Sequence, residues 1–188
     1  MNLPNKLTVL RIILIPFFVT FMLWDGLSHR FLYALIIFGI ASYTDYLDGN
    51  IARKRNLVTD FGKFMDPIAD KLLICAAYAV FVQLGVCNAW VLILILAREF
   101  AVQSLRLVAV GDGKVIAANY WGKVKTVSQM LATIFVMLLL EVSTWAILPD
   151  NFPIAVINSV LIWISVVLTV VSGVVYMAQN KKFINPSK

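Results

Sequence analysis

The stretch YTDYLDGNIARKRNLVTDFGKFMDPIADK, Tyr43 to Lys71, places Asp45, Asp48, Asp66 and Asp70 in a chain that is 61% hydrophobic and only 14% charged. Asp45 and Asp48 stand three apart and Asp66 and Asp70 four apart, so on helices each pair shares one face. The stretch decides the fold because one apolar run ends in it and the next begins in it. Two carboxylate pairs from neighbouring helices then meet at one end of a bundle.

The rest of the chain supports that frame. Soluble domains are roughly one-quarter charged, whereas this 188-residue chain has a mean hydropathy of +0.88. It is expected to be an all-α integral membrane protein. A crossing takes about 20 apolar residues, which allows roughly six crossings with short loops. The apolar runs lie at Leu7 to Trp24, Phe31 to Asp48, Pro67 to Val86, Ala89 to Val110, Tyr120 to Trp145 and Pro153 to Ala178, so six transmembrane helices in one domain, 1–188, are expected. The first run is long enough to span and no small-residue cleavage site follows it, which argues against a removable signal peptide. Pro67 suggests that the third helix starts close to Asp66.

Lys6, Arg53, Lys54, Arg55, Lys63, Lys114, Lys123, Lys125, Lys181, Lys182 and Lys188 fall at one set of helix ends, against Arg30 alone at the other. The positive-inside rule therefore puts both termini in the cytosol, with a multi-pass chain in the cell membrane and the acids facing the cytosol. The net charge of +6 is then a collar facing anionic head groups, and no nucleic-acid partner is implied. Cys75 and Cys87 are expected to be packing residues, and His29 a solvated loop residue.

Four carboxylates at the edge of a low-dielectric medium raise one another's pKa unless a cation joins them. Arg53, Lys63 and Lys71 can supply part of that charge. Two Mg²⁺ or Mn²⁺ ions would balance all four with the hard oxygen ligands those metals prefer. Gly49 and Gly62 let a bulky ligand approach the backbone, and Ala52 keeps the same face open.

Asp45-x-x-Asp48-Gly49-x-x-Ala52-Arg53, eight residues, then Gly62-x-x-x-Asp66-x-x-x-Asp70 resembles the signature of the CDP-alcohol phosphatidyltransferase family. The resemblance implies six transmembrane helices, a homodimer, and a two-metal site ligated by Asp45, Asp48, Asp66 and Asp70, with Asp70 also the general base for an acceptor hydroxyl. It further implies that a CDP-linked lipid is held by Gly49, Ala52, Arg53, Thr59 and Gly62, with Asn5 and Thr8 as a second contact to the nucleotide. A plain helix end, begun by Pro4 and capped by Asn or Thr, explains Asn5 and Thr8 as well.

The signature says nothing about the acceptor. Arg98 and Arg106 lie on nearly one face of the fourth segment, and Lys123 and Lys125 at the start of the fifth. Intramembrane arginines are costly and find anionic partners. Glu99 is one such partner, snorkelling is another outlet, and membrane anchoring accounts for the lysines. Together the four cations would also form a pocket for a phosphorylated acceptor. The stretches NLPNKLTVLRIILIP, REFAVQSLRLVA and GKVKTVSQ resemble the branch of the family that uses CDP-diacylglycerol and glycerol 3-phosphate; inositol phosphate is the alternative acceptor. A divalent-cation transporter is the rival from another class, and it predicts acids on both sides of the midplane.

Overall fold

The computed structural model describes residues 2–54, 59–111, 113–114, 116–117, 119–145, 147–149 and 151–183, and within them not the side chains at 46, 49–50, 52–54, 60–61, 63–64, 66 and 182. Among these residues six helices follow one another: α1 (Leu3–Leu23), α2 (Arg30–Lys54), α3 (Asp60–Gln83), α4 (Ala89–Gly111), α5 (Tyr120–Thr144) and α6 (Ile154–Gln179), with a short 3-10 turn at Lys181–Phe183. Among the described residues there is no strand. By length and composition α1, α5 and α6 are apolar enough to cross a membrane, so the chain is a multi-pass membrane protein.

Each start near the acidic end has a local cause. Asn2 caps α1 by accepting from the Asn5 backbone N–H at 3.2 Å, with Pro4 in the first turn where its missing N–H costs nothing. Asn119 caps α5 through the Gly122 N–H at 2.8 Å. The third helix corrects the sequence reading. It begins at Asp60, not near Asp66, because Thr59 caps it through the Gly62 N–H at 3.1 Å, and Pro67 lies inside it. A strong cap outweighs the one backbone bond that the proline removes.

Among the described residues the larger of two apolar clusters joins all six helices. It runs from Phe18 of α1 and Phe38 of α2, whose rings are 5.9 Å apart, through Tyr78 and Phe81 of α3 to Ile162 and Val166 of α6. α1 packs against α2 and α3, α6 packs against α5 and α4, and α2 and α3 join the two groups through α5 and α4. Lipid is as apolar as leucine, so interhelical hydrogen bonds add selectivity that oil-like burial cannot. Tyr78 and Ser165 hydroxyls meet at 2.8 Å, and Gln129 Nε2 donates to Thr169 Oγ1 at 3.0 Å.

At the end of the bundle opposite the acids, Glu141 is 2% exposed. It accepts from His29 Nδ1 at 2.6 Å, Trp145 Nε1 at 2.9 Å and the Leu32 N–H at 3.1 Å. His29 is therefore a clamp between the α1–α2 turn and α5, not merely a solvated loop residue. Its backbone φ of 58° is the left-handed value that a tight turn requires.

Candidate functional site

The buried face of α1 changes character along its length: Asn5, Thr8 and Arg11 come first, then Ile15, Phe18 and Met22. This i, i+3, i+4 spacing turns the polar residues toward the end of α2. Arg11, 1% exposed, sets Nη1 2.5 Å from Asp45 Oδ1 and Nη2 2.5 Å from Asp48 Oδ2. The Thr8 hydroxyl stands 3.4 Å from the same Asp48 oxygen and 3.2 Å from the Pro4 carbonyl. Asn5 Oδ1 accepts from Thr59 Oγ1 at 2.9 Å, tying α1 to the start of α3.

Of the residues expected at the nucleotide, Thr8 thus stands beside Asp48, while Asn5 and Thr59 bond to each other between α1 and the start of α3. Arg11 was absent from the cations expected at the acids. A lone arginine early in an apolar run, on the face shared by Asn5 and Thr8, was the available signal.

Asp45 and Asp48 share one cation, and Asp48 is buried while Asp45 is half-buried. Asp70, on the exposed face of α3, makes no hydrogen bond or ion pair among the described residues and lines the same two cavities as Asp45. The side chains of Asp66, Ala52 and Arg53, and the surroundings of Gly49, lie outside what is described; Gly62 is buried in the first turn of α3. Among the described residues no group of three or more metal-ligating side chains comes together. The donor chemistry nevertheless fits a hard divalent cation: two carboxylates already converge on one positive group, and a third opens onto the shared cavity.

That cavity, about 640 Å³, runs from Asp45 and Asp70 to all four of the expected acceptor cations, Arg98, Arg106, Lys123 and Lys125. α4 supplies the arginines and the first turns of α5 the lysines. Glu99, 7% exposed, accepts from Arg98 Nη1 at 3.3 Å and from Lys125 Nζ, so the anionic partner foreseen for Arg98 is real and is shared. Arg106 Nε donates to Tyr176 Oη at 3.0 Å, and Lys71 Nζ to Gln103 Oε1 at 3.2 Å. Cys75, expected only to pack, also forms part of the cavity wall, whereas Cys87 packs beside the core and burial pushes its thiol up to about 11.

A net positive pocket opening onto carboxylates suits an anionic substrate that must be brought to an acid-bound metal or a general base. Similar proteins agree. The family model for CDP-alcohol phosphatidyltransferases matches residues 1–171. A Bacillus subtilis protein named CDP-diacylglycerol–glycerol-3-phosphate 3-phosphatidyltransferase is 45% identical, over 95% of both chains. One of the same name from Rickettsia felis is 38% identical over 97% of both. A probable phosphatidylglycerophosphate synthase of Mycobacterium tuberculosis is 39% identical over 95% of this chain and 81% of its own.

Proposed function

The chain belongs to the CDP-alcohol phosphatidyltransferase family, and from that premise we propose that it transfers the phosphatidyl group of CDP-diacylglycerol to sn-glycerol 3-phosphate, giving phosphatidylglycerophosphate and CMP in phospholipid biosynthesis. The observation that carries the choice of acceptor is the single cavity joining Asp45 and Asp70 to Arg98, Arg106, Lys123 and Lys125. A serine or choline acceptor would have no use for four cations there. The names of the relatives point to the same acceptor.

The chemistry follows from the side chains. Arg98, Arg106, Lys123 and Lys125 bind the acceptor phosphate, and the arginine forks match its oxygens in pairs. The acceptor hydroxyl is then directed toward the carboxylate end of the cavity. Asp70 accepts its proton as the hydroxyl oxygen bonds to the β-phosphorus and the bond to CMP breaks; of the acids, Asp70 is the catalytic one. Asp45, Asp48, Asp66 and Asp70 would hold two Mg²⁺ or Mn²⁺ ions. When bound, such a pair neutralises the pyrophosphate and stabilises the leaving oxygen. Gly49, Ala52, Arg53, Thr59 and Gly62, with Asn5 and Thr8, hold the cytidine diphosphate end of the lipid.

The same reading has six crossings, both termini and the active site on the cytosolic side of the cell membrane, one domain over residues 1–188, and a homodimer. The one-sided distribution of lysine and arginine supports the orientation. The homodimer rests on the family resemblance, and its test is the mass of the detergent-solubilised protein.

The deciding experiment is CMP release from CDP-diacylglycerol by purified protein with Mn²⁺ or Mg²⁺ and a panel of acceptors. Release with glycerol 3-phosphate is expected. Release with inositol phosphate or serine, and none with glycerol 3-phosphate, refutes the assignment.

A further inference from the structure

Resting on that reading of the cavity, we propose that α6 sets acceptor specificity: Ser172, Gly173 and Tyr176 are positioning residues that hold Arg98 and Arg106 in the geometry an acceptor phosphate requires. None of the three belongs to the acidic signature or lines the cavity. All three are buried on one face of α6, the most hydropathic of the apolar helices, where a hydroxyl finds no partner in lipid.

Gly173 is the key to the arrangement. A Cβ built there would stand 2.8 Å from Arg98 Cγ and 3.7 Å from Arg98 Cβ. The stem of Arg98 therefore lies directly on the α6 backbone, at a residue that only glycine fits. The clash would fall near the root of the side chain, so the guanidinium cannot stay in place while the stem yields. Beyond the stem, Arg98 Nη2 donates to Ser172 Oγ at 2.7 Å while Nη1 faces Glu99. One fork is thus fixed at both nitrogens, by α6 and by its own helix.

Arg106 is held by the same face one turn on. Its Nε donates to Tyr176 Oη at 3.0 Å, and its Cζ lies 5.4 Å from the centroid of that ring. Residues 172 and 176 are four apart, so a single straight face of α6 sets the spacing of two arginines that are eight apart on α4. A long flexible cation without such a rack would bind phosphate only after losing its own freedom, weakening affinity without touching the chemistry.

The test is a kinetic split in the full-length protein with Mn²⁺, comparing Ser172→Ala, Tyr176→Phe and Gly173→Ala with the parent. Each should raise KM for glycerol 3-phosphate about tenfold or more, as expected when a hydrogen bond to a charged group is lost. KM for CDP-diacylglycerol should stay at its parent value, and kcat at saturating acceptor should fall far less than KM rises. Inorganic phosphate, used as a competitor of the acceptor, should lose inhibitory strength in the same proportion. If Gly173→Ala does not fold, the two hydroxyl deletions carry the test. Parent KM and parent phosphate inhibition in folded Ser172→Ala and Tyr176→Phe overturn the inference and leave the activity assignment standing. A parent protein that releases no CMP with glycerol 3-phosphate overturns that assignment instead, and the inference with it.

Discussion

Replacing Arg11 with leucine isolates the role of the cation buried between Asp45 and Asp48. The two ion pairs differ in worth. Side chains of Arg11 and Asp48 are 1% and 5% exposed, so removing Arg11 takes a buried counter-charge from a desolvated carboxylate, a loss of about 3–5 kcal/mol. Asp45 is 44% exposed, and water screens its pair to about 0.5 kcal/mol. The Thr8 hydroxyl, 3.4 Å from Asp48, is too distant to compensate fully. We therefore expect a loss of about 3–4 kcal/mol in protein stripped of divalent ions. At roughly 2–4 °C per kcal/mol for a chain of this size, the thermal midpoint in detergent falls by about 6–16 °C. Two controls make the attribution specific. In an Asp48→Asn background the same substitution should cost much less, because residue 48 then carries no full charge. Added Mn²⁺ should narrow the gap between Arg11→Leu and the parent, since it restores positive charge at the acids. An Arg11→Leu protein that melts with the parent in chelator, and shows no coupling to Asp48, refutes the assignment of Arg11 as the counter-charge.

Asp70→Asn should lower turnover by about 10²–10⁴-fold, the usual worth of a positioned general base. CDP binding, followed calorimetrically, should persist, and Mn²⁺ binding should weaken but survive through the other three acids; normal turnover in this variant removes Asp70 as the base. Alkylation of Cys75 should be slowed by glycerol 3-phosphate, because its side chain forms part of the acceptor cavity. Cys87 should show no such protection, and with its thiol raised to about 11 by burial it should gain reactivity only as pH climbs toward that value, the thiolate being the reactive form; equal protection of both cysteines would argue against the cavity as the acceptor site.

The order of helices was legible because the interruptions are chemically loud. Gly, Pro and charged clusters end each apolar run, and five of the helices begin within a few residues of where those runs begin. The start of α3 was not, because Pro67 is a stronger signal in one dimension than Thr59, whose value as a cap appears only once the Gly62 N–H turns toward it. At the site, spacing and charge singled out the acids and the four cations proposed for the acceptor, and the structure brings Asp45, Asp70 and those cations to one cavity. What sequence could not supply were partners distant in the chain. Arg11 lies thirty-seven residues from Asp48 and Ser172 seventy-four from Arg98. Ser172 and Tyr176 sit in the most apolar stretch of all, where a serine and a tyrosine look like packing until α4 is laid beside them.

The pattern of charge pairing explains how such a site survives in a membrane before any substrate arrives. Buried charge of one sign is costly, yet the cradle needs carboxylates and the acceptor pocket needs cations. Among the described residues, the ion pairs of Arg11 and of Glu99 lie within each set and not across the cavity. Arg11 of α1 serves Asp45 and Asp48 on α2, while Glu99 of α4 serves Arg98 and Lys125. Each wall therefore carries an internal counter-ion, and the space between the walls stays open. Had Lys125 instead bridged to Asp70, the resting protein would have closed its own acceptor site. Both counter-ions are buried with the charges they serve: Arg11 is 1% exposed, and Glu99, 7% exposed, forms part of the cavity wall beside Arg98 and Lys125. On this logic Glu99→Gln should leave the acceptor cations more positive and bind inorganic phosphate more tightly, at the expense of stability in the phosphate-free protein. A Glu99→Gln protein with weaker phosphate binding and unchanged thermal midpoint would mean that Glu99 contacts the acceptor directly.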